Sequence, residues 1–108
     1  MSSRIQTLAK AIKEHPEDSF YKFSLALEML KVSERNKAKV LFQNIVENDP
    51  QYVGVYYHLG KLYVELQQNE KALRTYTKGI EVAEQQNDEH SKMELQSAKL
   101  DLEMEMDY

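Results

Sequence analysis

Cysteine is absent from these 108 residues, which excludes a disulfide framework, a thiolate zinc site and a cysteine nucleophile. Two prolines and three glycines are too few to turn the many strands of a β-sandwich, so helix is the expected element from end to end. No apolar run approaches the roughly 20 residues of a membrane span. The opening stretch MSSRIQTLAKAIKEH interleaves polar and apolar residues and lacks the continuous apolar core of a signal peptide. A cytoplasmic protein with no membrane contact is the expectation; Met1 suggests a complete small protein, the alternative being a domain of a longer array. What is present is a 42% hydrophobic chain, enough for a modest core and too much for a disordered tail. One small domain over residues 1–108 fits that content.

The formal charge of −4 is unevenly spread. Residues 1–54 hold eight bases and seven acids, while residues 55–108 hold six bases and eleven acids. The ending DLEMEMDY has four acids and no base. Nucleic-acid backbones are gripped by clustered Lys and Arg. The densest bases here, Lys31, Arg35, Lys37 and Lys39, read as a solvated helix face. No nucleic-acid partner is expected.

An internal period of 34 organises the chain. A shift by that length lays Pro16 on Pro50, Leu25 on Leu59, Lys37 on Lys71, Ala38 on Ala72 and Glu47 on Glu81. Size classes agree as well: Ala26 with Gly60, Met29 with Tyr63, Phe42 with Tyr76, Val46 with Ile80. Helices approach to about 8 Å only where small side chains meet, with bulky ones filling the flanks. Each unit therefore reads as a helical hairpin. Ala38, Leu41, Phe42, Ile45 and Val46 form a stripe at helical spacing, and Ala72, Leu73, Tyr76 and Ile80 echo it. The polar links Ser33-Glu34-Arg35 and Gln67-Gln68-Asn69 separate paired helices, and Pro16 and Pro50 stop the ones before them.

The segment YYHLGKLYVELQQNEKALRTYTKGIEVAE resembles a tetratricopeptide repeat through Tyr56, Leu59, Gly60 and Tyr63, then Ala72 and Tyr76. A weaker copy uses Leu25, Ala26, Met29, Ala38, Phe42 and Pro50, and RIQTLAKAIKEHP is similar to the second helix of a preceding unit. The resemblance covers residues 4–84. It implies an all-α fold of antiparallel helix-turn-helix repeats, stacked as a short right-handed solenoid of about six helices. The expected parts are a half-repeat helix at 4–16, repeats at 17–50 and 51–84, and a capping helix at 87–107. Four departures stand out. Lys22 replaces a large aromatic residue, and Ile45 and Gly79 each replace an alanine. Either the next helix packs very close to Gly79 or that junction is weak. Glu84 stands where proline is expected, so the helix passing Ala83 is expected to run on.

The resemblance further implies a protein–protein interaction module that holds a peptide or helix on its concave face. That face would carry Phe20, Phe23, Ser24, Leu27 and Lys31 from one unit, and Gly54, Tyr57, His58, Lys61 and Glu65 from the other. The plainer reading makes Phe23 and Leu27 core residues. Members of the family that grip acidic chaperone tails use a lysine–asparagine pair; Phe23-Ser24 and Tyr57-His58 occupy those places, so that clamp is absent here.

Beyond Ala83, Asn87 and Asp88 are suited to open a helix, and Ser91 with Glu94 fits a capping box. Leu95, Ala98, Leu102 and Met106 form one stripe, with Met93, Leu100 and Met104 opposite. A cap needs one apolar face, so the second suggests contact with another copy of the chain, the alternative being a frayed tail with exposed methionines. That self-association, through a homodimer, is the rival to peptide capture. The alternating LDLEMEMDY also fits a strand by period, although its residues favour helix. No metal or cofactor is expected: His15, His58 and His90 are never three or four residues apart, and Asp88-Glu89-His90 with Glu94 reads as a helix-start acid cluster. Neither a phosphate loop nor a nucleophile elbow occurs, and no enzyme is expected.

Overall fold

The computed structural model describes residues 3–107. They form six helices: α1 (Ser3–Glu14), α2 (Ser19–Lys31), α3 (Arg35–Asn48), α4 (Gly54–Glu65), α5 (Asn69–Gln85) and α6 (Glu89–Met106). No strand occurs among the described residues. The fold is all-α, and the helices fall into two compact units, the first reaching Tyr52 with α1 to α3 and the second starting at Val53 with α4 to α6.

In the first unit α2 packs against both α1 and α3. Ala26 and Ala38 are fully buried, so the α2–α3 hairpin closes on small side chains, with Phe42 and Ile45 buried on its flank. Leu8 of α1 and Leu25 of α2 complete this core. The Phe23 ring lies 6.0 Å from that of Phe42 and 5.4 Å from that of Tyr52. Polar ties close the hairpin from outside. The Asp18 carboxylate caps α2 by accepting from the Phe20 amide at 3.0 Å. Ser19 Oγ donates to Asp49 Oδ2 at 2.7 Å, and Lys22 Nζ donates to Asn44 Oδ1 at 2.8 Å. Lys22 thus bridges the two helices of the hairpin, and Phe23 beside it supplies the aromatic packing.

In the second unit α4, α5 and α6 each pack on the other two. Size compensation between the repeats is direct here. Where the first hairpin pairs Ala26 with Phe42, the second pairs Gly60 with Tyr76, and a Cβ on Gly60 would collide with the Tyr76 ring. Gly79 answers the question posed by its sequence: a Cβ there would lie 2.5 Å from Tyr56 Cβ and 3.0 Å from Leu95 Cδ1. The junction is tight, with α5 pressed between α4 and α6. Leu95 and Leu102 of α6 are buried against it.

Of two expectations about the chain beyond Ala83, the structure bears out the longer helix and corrects the cap. Helix α5 runs on past Ala83 and Glu84 and ends at Gln85, where Asn87 turns the backbone to a φ of 58°. The cap of α6 is Asp88 alone, whose carboxylate accepts from the Ser91 amide at 3.1 Å and the Ser91 hydroxyl at 2.7 Å. Ser91 therefore serves the cap from inside the helix. Those hydrogen bonds hold the Asp88 carboxyl below its ordinary 3.8. The alternating stretch after Leu100 is helical through Met106, and Tyr108 lies outside the described residues.

Candidate functional site

The site that the described residues build within one unit is a cleft of about 370 Å³ between α4 and α6. Helix α4 places Tyr57, Lys61 and Val64 on its wall at a spacing of four and three, one helix face. Tyr57 is half-buried, its ring edge-on to that of His58 at 5.6 Å, and the Lys61 ammonium stands 5.9 Å from the Tyr57 ring centroid. Helix α6 lines the other wall with Glu94, Asp101 and Glu105 around Ser97 and Ala98. Tyr76 of α5 forms the floor, only 3% exposed. Burial, with Tyr57 and Asp101 nearby, pushes its phenol up to about 12, so it stays a neutral donor at any ordinary pH. Burial also lowers the His58 imidazole below 6.5, opposed by Glu94 and reinforced by Lys61, which leaves it neutral at pH 7.

The expected groove residues of α2 have different settings. Phe20 is 56% exposed, with its ring edge-on to Tyr21 at 6.0 Å. Phe23 and Leu27 are half-buried, and Phe23 packs on Phe42 and Tyr52. Ser24 is buried, only 7% exposed. Lys31 is exposed and bonds Glu28 at 3.0 Å, and Arg4 reaches the same carboxylate oxygen at 3.3 Å. The Lys31 hydrogen bond leads in holding Glu28 below its ordinary 4.5. On α4, Gly54 and His58 are half-buried, while Glu65 is exposed. Of the proposed self-association stripe, Met93 is 67% exposed, and Leu100 and Met104 flank a shallow depression with Leu73 and Met106.

Among the described residues no group of three or more His, Asp or Glu side chains is placed to hold a metal ion, and no helix is long and apolar enough to cross a membrane. Asp88, in the acid cluster with Glu89, His90 and Glu94, is occupied as a helix cap.

Residues 29–96 match the family model described as tetratricopeptide repeat. The chain belongs to the tetratricopeptide repeat family. A tetratricopeptide repeat domain protein from Salinibacter ruber, solved by solution NMR, is 49% identical, with a TM-score of 0.78 over 82% of this chain and 89% of its own. The TPR2B domain of yeast Sti1, solved in a complex with pHsp70, is 19% identical and superposes with a TM-score of 0.86, covering 94% of this chain and 81% of that one. A protein of Bordetella parapertussis, also 19% identical, reaches a TM-score of 0.81 over 97% of this chain and 91% of its own. The last two likenesses show the tetratricopeptide fold alone. No curated protein matches the chain.

Sequence reasoning found Tyr57 and Lys61 but missed the opposite wall and the floor. In the sequence Tyr76 reads as a packing residue, and it is buried. In the sequence Glu94 reads as part of a capping box, and Asp101 and Glu105 fall outside both apolar stripes of α6. The signal was available: positions 94, 101 and 105 recur at i, i+7 and i+11, a single line along a helix.

Proposed function

We propose that the chain is a protein–protein interaction module, a scaffold or adaptor that captures a peptide or helix of another protein, and that the α4–α6 cleft is a seat for it. The observation that carries this reading is a half-buried aromatic ring, Tyr57, open to a cleft and bordered by charged side chains rather than sealed by apolar neighbours. Aromatic side chains with one face free supply large contact area at low ordering cost, and charged groups at the rim select the partner. Phe20, exposed on α2, offers a further aromatic contact in the first unit. The family fold supports the same reading, since stacked helical hairpins leave one helix of each pair available for contact with a bound segment. No catalytic role is part of it.

The test uses the double variant Tyr57→Ala with Lys61→Ala. Capture of partner proteins from a lysate should be lost, while the helical circular-dichroism signal stays at the parent level. Undiminished capture would place the binding surface elsewhere, and loss of helicity would show that Tyr57 serves the core.

A further inference from the structure

The lining of the cleft selects a partner by charge. Glu94, Asp101 and Glu105 project along one line of α6, and across from them α4 offers a single cation, Lys61, drawn over the Tyr57 ring. None of the three carboxylates forms an ion pair with Lys or Arg among the described residues. The walls therefore carry three carboxylates against one ammonium, a surplus of two negative charges around an aromatic centre. An independent feature lies below. Tyr76 forms the floor of the cleft, its ring wedged against Gly60 with Tyr57 and Asp101 nearby. A phenol on the floor of the cleft offers an incoming polar group both a donor and an acceptor.

We propose that this cleft binds a basic segment of a partner protein, whose Lys or Arg side chains meet Glu94, Asp101 and Glu105 while an apolar side chain lies on Tyr57 and a polar group bonds the Tyr76 hydroxyl. The proposal rests on the reading of the α4–α6 cleft as a peptide seat. An acidic tail is disfavoured on the same grounds, since its carboxylates would face like charge across a confined space.

Two fluorescent peptides test it, one alternating Leu with Lys and one with Glu in place of every Lys, titrated by anisotropy in about 0.15 M salt. The lysine peptide should bind tighter by about tenfold or more. The variant Asp101→Lys with Glu105→Lys should erase that preference. The variant Glu70→Lys with Glu81→Lys makes the same change in net charge on exposed positions of α5 and should keep it. Equal loss in both variants would reveal unspecific attraction and overturn the proposal. If the glutamate peptide binds as well, and Tyr57→Ala with Lys61→Ala abolishes that binding, the seat stands and the charge selection falls. If neither peptide binds at about 1 mM, the seat falls too. A mass that rises with concentration and reverts with Asp101→Lys and Glu105→Lys would make a second copy the occupant and overturn it as well. The Tyr76 hydroxyl has its own readout. Tyr76→Phe should leave thermal stability unchanged or raised, yet weaken the lysine peptide by about three- to tenfold. Lower stability with unchanged affinity would show the hydroxyl partnered within the fold and remove it from the site.

Discussion

Ser33, Gln67 and Asn87 hold left-handed backbones, with φ of 62°, 61° and 58°, although none is glycine. Such a conformation costs an L-residue roughly 1–2 kcal/mol. What it secures is a closed helix end. After α2 the Ser33 amide donates to Leu30 O at 3.1 Å and the Glu34 amide to Met29 O at 2.8 Å. The same pair of bonds ends α4, from Gln67 to Val64 O and Gln68 to Tyr63 O, and ends α5, from Asn87 to Glu84 O and Asp88 to Ala83 O. Ser33 and Gln67 are one period of 34 apart, so the repeat conserves a backbone shape where it has not kept a side chain. Gln67→Gly should raise stability by about 0.5 kcal/mol, the relief of left-handed strain less the entropy that glycine loses on folding. Thermal unfolding checks this, and a lowered midpoint would show that the Gln67 side chain contributes more than its backbone costs. These turns were legible as polar links in the sequence, but their left-handed residues were not, because the usual marker, glycine, is absent from all three.

At the scale of the helix, two glycines set the spacing of the second unit. Gly60 admits the Tyr76 ring into the α4–α5 crossing, and Gly79 lets α5 lie close to both α4 and α6. The equivalent of Gly79 in the first repeat is Ile45, which is fully buried. One position therefore serves opposite packing needs in the two units. Gly79→Ala should destabilise the chain by roughly 1–2 kcal/mol, since overpacking against Tyr56 Cβ outweighs the roughly 1 kcal/mol of better helix propensity. Urea denaturation measures it, and a more stable variant would mean that α6 can move away from α5 without loss. Hairpin helices were the most legible part of the chain, because small and large residues recur in register and Pro16 and Pro50 mark the breaks. The start of α6 was less so. Asn87, Asp88 and Ser91 are all capable of capping, and which one does so depends on Asn87 being taken by the end of α5.

For the whole molecule, the period and the charge asymmetry proved to be separate messages. The period of 34 encodes the hairpins and the family. The acidity of residues 55–108 encodes the lining of a cleft, since Glu94, Asp101 and Glu105 belong to that excess. Read as a sequence, those acids look like an ordinary solvated helix face, and only the packing of α6 beside α4 turns them toward Tyr57 and Lys61. Half of the candidate site was thus visible in the repeat signature, and the other half depends on a tertiary contact that lies outside the repeat. The most direct measurement is an amide chemical-shift titration of the labelled protein with the lysine peptide. Perturbations are predicted to cluster on α4 and α6 around Tyr57, Lys61, Asp101 and Glu105, with Tyr76 between them. Shifts confined to α2 and α3, or to the edge formed by Met93, Leu100 and Met104, would contradict the account.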